Sequence, residues 1–311
     1  MFLIRFIAKE RRMGKRVLVT DIGGTNIRIA SLKDGEMEAL LFCHSIGDLP
    51  PREGIEFLKN TIFRFACDGN VEAVVMGFPG LVDYKGTLHH APNLKAYEGI
   101  NLKEAFFGLG FKVFFENDAN LYALGEGFKG GAKGAKNYCC LTLGTGVGSG
   151  VVIDGRLLKG SRGVASEIGH MTIKLDGAPC SCGSKGCLEA YCSGTAILKM
   201  ARERGLNVES AQEVACLAEM GSEEALSVFE EMGKYLGAGL ANIVNIFNPE
   251  VILIGGKVSQ AFPFFIDKAL ETMSEMAFSY PVRNVIVKKA TLGDMAALWG
   301  GWALVMGDHA V

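Results

Sequence analysis

The feature that most restricts the fold of this chain is a pattern written twice. Val17-Leu18-Val19-Thr20 is a short apolar, β-rich run ending in Asp21-Ile22-Gly23-Gly24-Thr25-Asn26. Ile27 to Leu32 follows as a second strand, and Asp34-Gly35 turns the chain again. In the middle of the chain, Tyr138 to Leu143 is a strand and Gly144-Thr145-Gly146-Val147-Gly148 is a Gly/Thr loop. Ser149 to Ile153 is the next strand, and Asp154-Gly155 is again a turn. Asp-Gly between apolar runs is a hairpin signal, because both residues tolerate the positive φ of a tight primed turn. Recurrence of the whole series reads as an internal duplication of one α/β unit.

Between and after these copies, strands alternate with helices, which implies α/β layers. A helix is expected near 51–67, a strand at Val71 to Gly77, a strand at Val113 to Glu116 and a helix from about Ala119 to Gly127. Lys129 to Lys136 reads as a surface loop. Ser222 is placed to cap a helix with Glu223 and Glu224 in its first turn, where carboxylates suit the dipole. Asn248-Pro249 stops that helix. Val251 to Ile254 is a buried strand running into Gly255-Gly256, and a helix to about Ala277, a strand at Val285 to Lys289 and a last helix from about Asp294 complete the chain. No linker-like stretch separates domains. The expected organisation is two lobes around a cleft, a small one of residues 1–117 plus 295–311 and a larger one of 118–294.

Composition excludes several classes of function. A formal net charge of -2 without a polybasic run offers no field for nucleic acid. The apolar start, Met1 to Ala8, is short and broken by Arg5, so it reads as an extension or an upstream start, with no export signal. No apolar run is long enough to cross a membrane. Nine cysteines without an export signal argue for reduced thiols and a cytoplasmic setting. Cys43, Cys67, Cys139, Cys140, Cys192 and Cys216 are expected as small core residues, whereas His44, His89, His90 and His309 carry no signal. Glycine, 41 of 311 residues against roughly 7% in average usage, gathers in short clusters of the kind that build phosphate sites from backbone.

Three segments carry chemistry. In Asp21 to Asn26, the glycines let backbone N–H groups face an anion, Thr25 adds a hydroxyl, and Asp21 can hold Mg²⁺ through water. The alternative is a plain hairpin turn. Gly144-Thr145-Gly146 repeats the device, so two loops can grip a triphosphate. Neither loop is a Walker A or dinucleotide fingerprint. In Glu116-Asn117-Asp118-Ala119-Asn120, a strand runs straight into a carboxylate between two amides. That is either a helix cap or a base for a sugar hydroxyl. Finally, His170 with Cys180, Cys182 and Cys187 offers one nitrogen and three sulfurs in tight spacing, a set suited to a structural tetrahedral zinc rather than to loose thiols. That site would pin the loop carrying Glu167 and Glu189.

These segments together resemble the ROK family of bacterial sugar kinases and sugar-responsive repressors, over nearly the whole chain from about Lys15. Asp21 to Arg28 is similar to its first phosphate motif, Glu116 to Asn120 to its catalytic segment and Leu143 to Gly150 to its second phosphate motif. Glu167-Ile168-Gly169-His170 and Cys180 to Glu189 are similar to its sugar and zinc segment. The resemblance implies a duplicated actin-like (ribonuclease H-like) fold that binds ATP, Mg²⁺, Zn²⁺ and a hexose. By it Asp118 is the general base, and Asn117, Glu167, His170 and Glu189 meet the sugar, with Gly80 and Asn93 near it. His170, Cys180, Cys182 and Cys187 hold zinc. Asp21, Gly23, Gly24, Thr25, Asn26, Gly144, Thr145 and Gly146 hold phosphate, with Gly255 and Gly256 near the nucleotide. It further implies a dimer or tetramer, and glucokinase activity at the 6-hydroxyl. Mannose, fructose, allose, N-acetylmannosamine, a sugar-sensing regulator and an actin-like ATPase are the rival readings. About twenty residues before Asp21 are too few for the regulators' DNA-binding segment. Two departures stand out: Ser166 where members often have Gly, and Leu292 to Ala297, less Gly-rich than is common.

Overall fold

The structure is a computed structural model and describes residues 4–6 (backbone only), 15–66 and 70–307. The rest of the 1–12 segment, Cys67 and His309 lie outside the described residues. The chain divides into two compact units: 1–129 with 156–165 and 295–311, and 130–155 with 166–294.

The first unit is built on a six-stranded sheet of β1 (Ile4–Phe6), β2 (Arg16–Ile22), β3 (Asn26–Lys33), β4 (Glu36–His44), β5 (Val71–Phe78) and β8 (Lys112–Asn117), in the order β1-β4-β3-β2-β5-β8. A small hairpin of β6 (Leu81–Val82) and β7 (Leu88–His90) stands apart from it. A five-stranded sheet contains β9 (Tyr138–Leu143), β10 (Val147–Ile153), β11 (Arg156–Leu157), β12 (Val251–Gly255) and β13 (Ile286–Lys289), in the order β11-β10-β9-β12-β13. The series β4-β3-β2-β5-β8 and β11-β10-β9-β12-β13 are the same topology. Each first strand pairs antiparallel with its hairpin neighbour and parallel with the strand on its other side. Both Asp-Gly turns take the positive φ that their sequence implies, 51° and 79° at Asp34-Gly35 and 50° and 76° at Asp154-Gly155. The internal repeat is therefore structural.

Apolar runs account for the layers. Val17, Leu18, Val19, Val74, Val75 and Met76 are wholly buried, as strands covered on both faces must be. Helix Pro51–Phe65 turns Leu58 and Ile62 to the sheet. Helices Asp118–Lys129 and Ala296–Met306 pack on one another at very short range, since a Cβ on Gly300 would sit 1.7 Å from the Leu121 carbonyl oxygen. Only glycine allows that approach. In the second unit, helices Glu223–Phe247 and Phe262–Met276 pack together. Ser222 caps the former by accepting from the N–H of Ala225, and Asn248 ends it with a left-handed φ of 45°.

Among the described cysteines, Cys139, Cys140 and Cys192 are buried as expected, and burial pushes the Cys139 thiol up to about 12. Cys43 is only partly buried and Cys216 is exposed. The latter lies on helix Ala211–Glu219, whose buried face is supplied by Val214 and Ala218.

Candidate functional site

The expected site residues fall into two groups, one in each unit. In the first unit the sheet register lines them up. Asp21 on β2 is paired with Gly77 on β5, Gly77 with Glu116 on β8, and Phe78 with Asn117. The three strands are parallel, so their C-terminal ends share one edge, where ligands of open α/β sheets gather. At about 4.8 Å per strand, the Asp21 and Glu116 backbones are roughly 10 Å apart.

At that edge the first turn is closed by the Gly23 N–H donating to the Asn26 carbonyl at 3.0 Å. The Ser45 hydroxyl donates to the Gly23 carbonyl at 2.6 Å. Arg28 forms an ion pair with the buried Asp21 at 3.2 Å. A Cβ on Gly24 would come within 3.1 Å of the Asn93 side chain, so Asn93 packs directly on the turn.

Helix capping at β8 is done by Asn117. Its Oδ1 accepts from the N–H of Asn120 at 3.0 Å, the bond an N-cap makes to the third helical residue. Its Nδ2 donates to the Gly80 carbonyl at 3.0 Å. Asp118 is thus the first residue of the helix, half-buried, with Oδ1 accepting from the N–H of Ala119 at 2.8 Å. The cap and the candidate base are two different residues.

In the second unit the Gly144 N–H donates to the Gly146 carbonyl at 2.9 Å, closing a turn one residue shorter than the first. Strand β12 pairs Gly255 with Thr142, which puts Gly255-Gly256 beside this turn. The Val147 N–H donates to Glu189 Oε2 at 3.0 Å. Glu189 Oε1 accepts from Ser181 at 2.5 Å and from the Cys180 thiol at 3.5 Å. Burial, then the charge of Glu189, pushes the Glu167 carboxyl up to about 7. Its side chain still meets water, which screens part of that effect.

His170, Cys180, Cys182 and Cys187 bring one ligand atom each to within 4.8 Å of one another. Cys182 Sγ and Cys187 Sγ are 3.7 Å apart, and Cys180 Sγ and His170 Nδ1 are 3.6 Å apart. Tetrahedral zinc with bonds near 2.3 Å separates its ligand atoms by roughly 3.8 Å. The four residues fit such an ion.

Four features escape a reading of the sequence alone. Lys159 lies 2.8 Å from Glu116. Ser181 binds Glu189. Gly194 donates its N–H to the Gly144 carbonyl at 2.7 Å, and the Thr195 hydroxyl donates to the Thr145 carbonyl at 2.9 Å. Beside them is a cavity of about 400 Å³ bordered by Gly144, Thr145, Thr195, Gln212, Phe229 and Lys257. The caps Ser193 and Ser210, the latter followed by Glu213 three residues on, mark the helices lining it and were a usable signal. Lys159 had none.

The profile of the ROK family matches residues 17–308. The glucokinase of Halalkalibacterium halodurans is 36% identical over 76% of this chain and 77% of its own length. The xylose repressor of Bacillus subtilis is 33% identical over 74% of this chain and 60% of its own. The crystal structure of a ROK family glucokinase from Streptomyces griseus, in complex with glucose and AMPPNP, superposes with a TM-score of 0.80 at 30% identity, covering 93% of this chain and 98% of that one. The repeated strand order is thus the actin-like ATPase fold. Profile, identity and superposition each span most of the chain, and the two glycine turns and the His/Cys loop lie inside the matched range: this protein belongs to the ROK family.

Proposed function

We propose that this protein is an ATP-dependent hexokinase that phosphorylates the 6-hydroxyl of glucose. One observation carries the assignment: Asn117 performs the helix capping at the sheet edge, and the neighbouring carboxylate of Asp118 heads the helix at the same edge as the Asp21 turn. A carboxylate at such a sheet edge can act as a base toward a hydroxyl.

In this reading Asp118 accepts the proton of the sugar 6-hydroxyl. That oxygen forms its bond to the γ-phosphorus as the bond to the β,γ-bridging oxygen breaks, and ADP leaves. The proton passes from Asp118 to water. Catalysis of this kind is mainly positioning and charge stabilisation. The Gly23 and Gly144 N–H groups close the two turns, so the N–H groups that follow them in each turn are the ones offered to the phosphates, and Thr25 and Thr145 add hydroxyls. Magnesium, when bound, neutralises the phosphate charge, and Asp21 is the residue to hold it through water. The nucleoside end suits the 400 Å³ cavity beside Thr145 and Gly255-Gly256. Asn117, Glu167, His170 and Glu189 take the sugar hydroxyls, with Gly80 and Asn93 nearby. His170, Cys180, Cys182 and Cys187 hold a structural zinc that orders the Glu189 loop. The same reading includes a cytoplasmic dimer or tetramer.

The test is a rate panel. Purified protein with MgATP is given glucose, mannose, fructose, N-acetylglucosamine, N-acetylmannosamine or allose, and ADP release is recorded. Glucose should give the highest kcat/KM. A different preferred hexose removes the glucokinase assignment but keeps the kinase. ATP consumption that no hexose stimulates removes the kinase. Sugar binding without turnover, together with a shifted promoter fragment in a gel, would favour the regulator reading, to which the similarity to xylose repressors gives weight.

A further inference from the structure

The stretch 156–165 packs with the first unit although the chain on either side of it belongs to the second. Tyr84 fastens it. The Tyr84 hydroxyl donates to the Gly160 carbonyl at 3.0 Å, and its N–H donates to the Arg162 carbonyl at 3.1 Å. Lys159 Nζ lies 5.2 Å from the centre of the Tyr84 ring. The same ammonium stands 2.8 Å from Glu116 Oε2, with the Glu116 side chain 2% exposed and that of Lys159 19%. The other oxygen, Oε1, accepts from the backbone N–H of Asn117 at 3.0 Å and from the Asn120 side chain at 2.9 Å.

Both donors held by Glu116 belong to the turn that presents Asp118. A buried carboxylate keeps its charge only while a cation offsets the loss of water. Without Lys159, the buried Glu116 carboxylate loses the ion pair on Oε2, and it either turns away from its present place or draws in water. Each response loosens the two bonds that seat Asn117 and Asn120, and Asp118 lies between those residues. We propose that Lys159 is a positioning residue: through Glu116, it holds the Asn117–Asn120 turn so that the Asp118 carboxylate is aimed at the substrate hydroxyl. This role rests on the kinase reading of Asp118.

The experiment compares Lys159→Met, Lys159→Arg and the neutral pair Lys159→Met/Glu116→Gln with the wild type, recording kcat, hexose KM and melting temperature. A misplacement of about 1 Å at a reacting group costs on the order of 10²-fold. Lys159→Met should therefore lose about 10–100-fold in kcat, with hexose KM moving by less than about threefold. Lys159→Arg, which keeps the cation, should restore most of kcat. The neutral pair should recover both melting temperature and most of kcat, because Gln still accepts from Asn117 and Asn120 with no charge left to offset. A folded Lys159→Met with wild-type kcat overturns the proposal. So does a folded neutral pair as inactive as Lys159→Met, since Lys159 would then act on substrate itself. If Lys159→Met does not fold, the neutral pair alone decides, by whether a folded, active enzyme returns. Absence of hexose-dependent turnover in the wild type overturns the kinase reading and this role together, whereas an active wild type beside an unimpaired Lys159→Met overturns this role alone.

Discussion

Replacing Asp118 with Asn separates the proposed chemistry from architecture, because the helix is capped by a different residue, Asn117. The cap bond to the Asn120 N–H comes from Asn117 and is untouched. The bond from the Ala119 N–H to Asp118 Oδ1 at 2.8 Å survives, since an amide oxygen accepts in the same place. The negative charge at the first helical residue, worth about 0.3–1 kcal/mol against the helix dipole, is removed. Stability should fall by about 1 kcal/mol. Turnover should fall by about 10²–10⁴-fold, the usual contribution of a general base, which is about 2.7–5.5 kcal/mol of barrier. Urea unfolding gives the first number and ADP release at saturating hexose and ATP gives the second. Hexose affinity, measured calorimetrically without ATP, should change little. Turnover within tenfold of wild type would refute Asp118 as the base. A stability loss well above 2 kcal/mol would show that the carboxylate serves the fold, and that the division of labour between Asn117 and Asp118 is wrong.

Gly300→Ala forces a Cβ to 1.7 Å from the Leu121 carbonyl, so helices Ala296–Met306 and Asp118–Lys129 must part. Urea unfolding should show a loss of about 3 kcal/mol, with kcat falling as well because Leu121 is in the turn after Asp118. Ser166→Gly removes a non-glycine residue from φ 74°. The relief, roughly 1–2 kcal/mol, exceeds the roughly 0.5–1 kcal/mol entropic penalty of glycine, so the melting temperature should rise slightly. Cys182→Ser should abolish zinc retention through gel filtration, measured by elemental analysis, and weaken both hexose and ATP affinity. The second effect follows because Cys180 and Ser181 touch Glu189, which accepts from the Val147 N–H beside the second turn.

Much of this was legible in the sequence because it is local. The hairpins at Asp34-Gly35 and Asp154-Gly155 announce themselves through residues that tolerate positive φ. The buried strands are unbroken apolar runs, and the spacing of His170, Cys180, Cys182 and Cys187 already implies that the four side chains meet, as they do. What escaped was set by contacts distant in the chain. No local pattern at Leu158-Lys159-Gly160 says that the stretch packs with the first unit, because its neighbours on both sides belong to the second. Nor could the letters of Asn117-Asp118 say which residue caps the helix. Either side chain can, and only the backbone at the end of β8 decides it. Ser166 illustrates the converse: the departure from glycine was visible, and the left-handed backbone that makes it matter was not.

The duplication explains why the two glycine turns can look alike and yet answer to different neighbours. Each follows the first strand of the same five-strand order and closes with one backbone bond, 3.0 Å at Gly23 and 2.9 Å at Gly144. Around the first, the partners come from the same unit: Ser45 on the Gly23 carbonyl, Asn93 against Gly24, Arg28 on Asp21. Around the second, the partners are Glu189, Gly194 and Thr195, which come from the stretch that follows the cysteine loop. A change in the His170–Cys187 cluster therefore has a short path of hydrogen bonds to the second turn, through Ser181 and Glu189, that the first turn does not share. The copies kept the backbone closure of the turn and diverged in what holds it, so loss of metal from a loaded His170–Cys187 cluster should disturb the second turn and spare the first.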